Sequence, residues 1–189
     1  MKLNPDWHSS YKKSNYGEFF YGLMRIYQPE KVVELGTKAG YSAYHIARGL
    51  KDNNKGSLDC YDLWEKYQFK SVPQSVAKEN LKEFKDIVSF TLRDAVGVEK
   101  KYKHVDILHV DLSNEGEILD KIIPQWIDKV RQLLIIEGGS SERDKVEWMK
   151  KFKKMPIEKW LKGLVRSSDN IEYFTIEPFP SVTIIRKLT

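Results

Sequence analysis

Five short apolar runs, each followed by a stretch in which apolar residues recur at helical spacing, limit the architectures open to this chain. The first run, residues 31–36, contains Val32, Val33 and Leu35, and further runs lie at 57–64, 87–93, 105–111 and 132–137. Helical patterns fall at 40–50, 73–84, 96–102, 114–130 and 143–165, with Pro124 and Pro156 expected to interrupt the last two. Strands buried on both faces read as continuous apolar runs, and strands alternating with crossover helices pair in parallel beneath helices on both faces. The tail breaks this rhythm. Residues 172–176 and 182–185 are strand-like and are joined by Glu-Pro-Phe-Pro-Ser, which is too short for a crossover helix, so they are expected to pair antiparallel. The expected class is α/β, a seven-stranded, mostly parallel sheet with a C-terminal antiparallel hairpin.

An arm and a helix, residues 1–28, precede the first strand. Asn15 followed by Glu18 has the spacing of a capping box, the helix carries Phe19, Phe20, Leu23, Met24 and Tyr27, and Pro29 closes it. Trp7, His8 and Tyr11 remain as residues that a substrate-covering lid would use; the alternative for the segment is a helix packed on the sheet. Trp148 and Phe152, four apart, have the spacing of a buried stripe with lysines on the wet side.

At 189 residues and 41% hydrophobic, the chain is expected to be a single domain, residues 1–189. No stretch approaches the roughly 20 apolar residues of a membrane span, and the first residues lack the apolar centre of a signal peptide, so a cytoplasmic protein without membrane attachment is expected. Cys60 is the only cysteine, which excludes an internal disulfide and a thiol-rich metal site and suits a core filler. The net charge of +5 comes from 32 bases mixed among 27 acids, the pattern of a solvated surface rather than of a nucleic-acid footprint.

Residues 31–42 carry the chemistry. The first strand ends in an acid, Glu34, and breaks into Gly36-Thr37-Lys38-Ala39-Gly40 before a helix that opens with Tyr41 and Ser42. Such a turn aims helix N-terminal amides at a bound group, and in dinucleotide sites that group is a pyrophosphate on G-x-G-x-x-G. Here Lys38 stands where the middle glycine belongs, and Glu34 would repel a phosphate while suiting a cationic or zwitterionic ligand. S-adenosylmethionine (SAM) fits that description.

Residues 34–43, Glu-Leu-Gly-Thr-Lys-Ala-Gly-Tyr-Ser-Ala, resemble the first motif of class I SAM-dependent methyltransferases, and the Gly-Tyr-Ser-Ala ending is most similar to the small-molecule O-methyltransferases of the catechol and caffeoyl-CoA type. The resemblance implies a Rossmann-like sheet with ligands at the carboxyl ends of its strands. It implies cofactor contacts from Glu34, Gly36, Thr37, Lys38, Gly40, Tyr41 and Ser42, and from Asp62, Leu63 and Trp64 at the end of the second strand. Asp62 would accept from the ribose hydroxyls, with Asp59 as its competitor, and Trp64 would lie against the adenine or serve as a core tryptophan. Asp94 and Ala95 would meet the adenine edge, although Asp94 also suits the cap of the helix at 96–102.

The fourth strand ends in Leu108-His109-Val110-Asp111, where the family's acid faces the transfer site. Asp111, His109 and Glu137 are therefore the catalytic candidates, Asp111 also as a cofactor contact. Divalent-metal members of the family place an Asp-Asn pair after the fifth strand. This chain has Glu137-Gly138-Gly139-Ser140 there, the Asn position is a glycine, and Asn114 could replace it or simply cap its helix, so no metal site is assigned. The function implied is SAM-dependent O-methylation of a small molecule. Two alternatives stay open: a nucleic-acid or protein methyltransferase, against which the missing Pro-Pro-Tyr/Phe segment counts, and a catalytically silent cofactor-binding module.

Overall fold

The computed structural model describes residues 7, 9–69, 71–113 and 115–188, and the chain divides into two compact units, the first ending at Ala95 and the second starting at Val96. The first unit runs from a 3-10 turn, Ser10–Ser14, through α1 (Tyr16–Tyr27), β1 (Lys31–Leu35), α2 (Tyr41–Asp52), β2 (Ser57–Asp62) and α3 (Gln74–Asn80) to β3 (Val88–Leu92). Its strands pair in parallel, with Leu35 opposite Tyr61 and Asp62 opposite Leu92. The second unit comprises β4 (Val105–Val110), α4 (Gly116–Trp126), β5 (Val130–Glu137), α5 (Ser141–Asp144), α6 (Glu147–Lys151), α7 (Ile157–Arg166), β6 (Ile171–Ile176) and β7 (Val182–Lys187). There β4 and β5 are parallel, while β7 runs antiparallel to both β5 and β6. The seven strands take the order β3-β2-β1-β4-β5-β7-β6, the mostly parallel sheet with an antiparallel end that the apolar runs predict.

In the first unit the core is built around α2. Tyr41 to Ala47 are all buried, because the helix lies on β2 on one side and is covered on the other by α1 and the turn before it. Close approach of α1 and α2 depends on two glycines. A methyl group on Gly17 would come within 2.3 Å of the His45 ring, and one on Gly49 within 2.6 Å of Met24 Cβ. The arm adds an aromatic cover: Trp7 sets its ring edge-on to Tyr44 at 4.8 Å and to Tyr41 at 5.7 Å, and Tyr11 packs edge-on to Phe20 at 5.0 Å. The helix of the arm thus packs on α2 rather than on the sheet itself. His8 lies outside the described residues.

Several sequence expectations give way to tertiary contacts. Asn15 is left-handed (φ 54°) and makes no side-chain cap bond. Glu18 turns instead to Arg48, accepting from its guanidinium at 2.8 and 2.9 Å, and that pairing holds the Glu18 carboxyl below the usual range. Pro124 lies inside α4 without breaking it, since the helix ends at Trp126 and little ladder remains to be disrupted. The span 143–165 is three helices, α5 to α7. Phe152 is 61% exposed because α6 stops at Lys151 and Lys153 turns the chain at φ 50°, so Met149 takes the buried position instead.

His45 is buried, and neither ring nitrogen has a hydrogen-bond partner. Burial first, then the Arg48 charge, pushes its imidazole down to about 4, with Glu18 opposing. The unfolded chain then takes up a proton between roughly pH 6.5 and 4 that the folded chain refuses, so stability is lost as pH falls through that window. A loss of about 3 kcal/mol is expected from this residue, and urea midpoints at pH 7.5 and 4.5 should show a shallower dependence in His45→Leu than in the wild type. Gly17→Ala should destabilise by about 2 kcal/mol through overpacking on His45, whereas helix propensity alone predicts a gain of about 1 kcal/mol; the sign of the shift in urea midpoint separates the two effects.

Candidate functional site

The loop after β1 is shaped by glycines and held by its neighbours. Gly36 (φ 92°) and Gly40 (φ 88°) occupy backbone conformations that strain side chains, and Lys38, between them, also has a positive φ of 49°. Gly36 N–H donates to Tyr61 O at 2.8 Å, which carries the β1–β2 ladder one residue past the strand. The next two amides, Thr37 N–H and Lys38 N–H, both donate to Asp62 Oδ2, at 2.8 and 2.7 Å. Asp62 Oδ1 accepts from Trp64 N–H at 2.8 Å. Trp64 Nε1–H donates back to Lys38 O at 2.8 Å, and Asn80, at the end of α3, donates to Ala39 O at 2.9 Å. The loop is therefore preorganised by three side chains that lie far from it in sequence.

At the base of the loop Glu34 is fully buried. Ser42 Oγ–H, in the first turn of α2, donates to its Oε1 at 2.6 Å, and Cys60 Sγ lies 3.8 Å from its Oε2. A carboxylate beside a helix's first turn is favoured by the free amides and dipole there. Burial, then the charge of Glu34, pushes the Cys60 thiol well up, so Cys60 is an inert core residue. Tyr41 is buried with its phenol against the Gly17 backbone, and burial raises its pKa.

The remaining candidates of this unit occupy distinct places. Trp64 is fully buried, edge-on to Phe90 at 6.3 Å, and begins a 3-10 turn, so the second strand ends at Asp62 rather than at residue 64. Leu63 is half-buried between them. Asp59 lies away from the loop, paired with Lys31 at 3.1 Å and accepting from Ser89 at 2.7 Å. Gly40 is demanded by packing, because a methyl there would fall 2.4 Å from Leu81 Cδ1. Asp94 is exposed and Ala95 half-buried after β3. The helix expected at 96–102 is one 3-10 turn, Val98–Lys101, with Gly97 rather than Asp94 at its N-cap. Asn80 was not singled out by the sequence, since one polar residue at the end of a short helix carries no signal of what it faces.

In the second unit, His109 is fully buried inside β4, opposite Ile135 of β5. Asp111 is half-buried just beyond the strand, and Glu137 is the buried last residue of β5. Since Val110 pairs with Ile136, Asp111 and Glu137 occupy the next register position at the carboxyl ends of adjacent strands. Gly138 (φ 97°) and Gly139 (φ 104°) then turn the chain. Gly138 N–H donates to Ser181 O at 2.9 Å, and Thr183 Oγ1–H donates to Gly138 O at 2.7 Å. A methyl on Gly139 would lie 2.2 Å from Thr183 Oγ1, so contact with β7 requires glycine there. Among the described residues no group of three or more His, Cys, Asp or Glu is placed to hold a metal ion; Asn114 lies outside them.

Residues 33–137, from β1 to the end of β5, match a family model described as a methyltransferase domain. No curated protein matches the chain. Among solved structures, the SAH-bound methyltransferase PaMTH1 of Podospora anserina aligns with a TM-score of 0.70 at 14% identity, over 92% of this chain and 78% of that one. The O-methyltransferase TomG of Streptomyces achromogenes, involved in tomaymycin synthesis and solved with SAM, aligns with a TM-score of 0.72 at 15% identity, over 98% and 83%. An O-methyltransferase from Bacillus cereus in complex with SAH gives 0.70 at 15%, over 97% and 83%. At these identities the likeness is one of fold. The family match spans more than half of the chain and includes the glycine loop, the acid after β2 and the ends of β4 and β5, and the chain belongs to this methyltransferase-domain family.

Proposed function

We propose that this protein is a SAM-dependent methyltransferase that methylates an oxygen of a small molecule. The observation that carries the proposal is the Gly36–Gly40 loop, held in a fixed shape by Asp62, Trp64 and Asn80 and leading into the N-terminus of α2. A loop already in its binding conformation avoids the ordering cost of taking up a ligand. The residues fit this cofactor: glycine at Gly36 lets a ligand lie close to the backbone, and the carboxylates of Glu34 and Asp62 disfavour phosphate while tolerating a zwitterion. The SAM and SAH complexes of the similar folds support the same choice.

When bound, SAM supplies a methyl group on a sulfonium centre; the protein's part is to place an acceptor and take its proton. In this proposal Gly36, Thr37, Lys38, Gly40, Tyr41 and Ser42 bound the methionine portion, and Asp62 and Leu63 the ribose side. The fully buried Trp64 supports the loop through its bond to Lys38 O rather than meeting the adenine. Asp94 and Ala95 lie toward the adenine. Asp111 and Glu137, side by side at strand ends, are the proton acceptors for the substrate hydroxyl, and His109, buried within β4, supports that face. We infer a cytoplasmic protein, in keeping with its single buried free thiol.

Two variants of the loop separate ligand contact from packing. Gly36→Val should abolish the thermal shift produced by S-adenosylhomocysteine (SAH) while the sheet forms, whereas Gly40→Ala should lower the melting temperature through the Leu81 clash and the strained φ, at a cost of about 2 kcal/mol. A wild type that shows no SAH-induced shift up to millimolar concentrations contradicts the proposal. Because Gly138 and Gly139 offer no side-chain oxygen where a metal-dependent site needs one, EDTA should leave methyl transfer, read as SAH release, unchanged. Activity lost to EDTA and restored by magnesium would contradict that part.

A further inference from the structure

We propose that Asp62 determines which nucleotides the loop accepts: its carboxylate fills the amide pair of Thr37 and Lys38, the place where a phosphate would otherwise bind. The inference rests on the cofactor assignment above and gives Asp62 a role beyond ribose contact. Two successive amides converge on one oxygen, at 2.8 and 2.7 Å. Convergent amides of this kind, in a glycine loop ahead of a helix, form an anion site, and here the helix is the 12-residue α2. The chain has supplied the anion itself. A third bond, from Trp64 N–H to Oδ1, fixes the carboxylate in that orientation.

Three contacts besides those of Asp62 hold the loop: Gly36 N–H on Tyr61 O, Trp64 Nε1–H on Lys38 O, and Asn80 on Ala39 O. The first and last involve neither the Asp62 side chain nor the residues its carboxylate bonds to. The amide pair should therefore persist when the carboxylate is removed. A phosphorylated nucleotide approaching the wild-type loop finds its donors occupied and a negative charge in front of it. A ligand that carries ribose and a zwitterion but no phosphate does not need those donors. Discrimination of this sort works by a repulsive element as much as by an attractive one.

The test titrates wild type, Asp62→Ala and the isosteric Asp62→Asn with inorganic pyrophosphate, ADP, adenosine and SAH, by calorimetry and thermal shift, with circular dichroism to establish folding. The wild type is expected to bind adenosine at least as tightly as ADP and to ignore pyrophosphate. Asp62→Ala should bind ADP about tenfold more tightly than adenosine and acquire pyrophosphate binding, with Asp62→Asn showing a smaller change in the same direction. A folded Asp62→Ala that prefers adenosine and ignores pyrophosphate overturns the inference. Failure of both variants to fold also overturns it, because the amide pair then has no existence apart from Asp62. Wild-type binding of SAH combined with unresponsive variants removes this inference and leaves the proposed function standing. Pyrophosphate binding gained by the variants, with no SAH binding by the wild type, does the reverse.

Discussion

Backbone at positive φ does not hold itself in place, and the loop after β1 places Gly36, Lys38 and Gly40 there within five residues. Asp62 supplies what the loop lacks. Its two carboxylate oxygens accept from three backbone amides, two in the loop and one in its own turn. Charge-assisted bonds of this kind are about twice as strong as neutral ones. They join the end of β2 to the end of β1 beyond the last ladder bond, from Gly36 N–H to Tyr61 O. This joint, together with the contacts of Gly36, Trp64 and Asn80, sets the position of the loop and with it the opening of α2.

Once α2 is fixed at its N-terminus, its packing explains much of the first unit. A helix buried on nearly every side along its first two turns needs a neighbour at close range, and α1 achieves this by presenting Gly17 to His45 and receiving Gly49 against Met24. The aromatic contacts of Trp7, Tyr11 and Phe20 close the same side. The cost is an imidazole sealed away from water with no hydrogen-bond partner, which ties the unit's stability to pH.

The second unit uses glycine for a different purpose. Gly138 and Gly139 let the chain turn away from β5 beside β7, where Thr183 and Ser181 bond to the turn. Two adjacent carboxylates, Asp111 and Glu137, are brought to neighbouring strand ends by the β4–β5 register. The two glycines of that turn carry no side-chain oxygen.

The class and the succession of elements along the chain were legible in the sequence because strands buried on two faces must be apolar throughout, and because five residues between the last two strands forbid a crossover. The spatial order of the strands was not. The glycine loop was equally legible: positive φ leaves few residue types to choose from. Caps and helix limits were less so. Asn15 and Glu18 had the right spacing for a box, but Arg48, distant in sequence, offered Glu18 a stronger partner. Phe152 had the spacing of a core residue, but its helix ended one residue too soon. Asp62 could be identified as the acid at a strand end, while its engagement with Thr37 and Lys38 depended on a parallel register that no local pattern encodes. The sequence by itself determined the α/β class, the order of elements and the glycine turns of the loop, since these follow from apolar periodicity and backbone sterics. The tertiary structure alone decided which polar group meets which, because a hydrogen bond is set by distances of a few tenths of an ångström between residues that the chain separates by dozens.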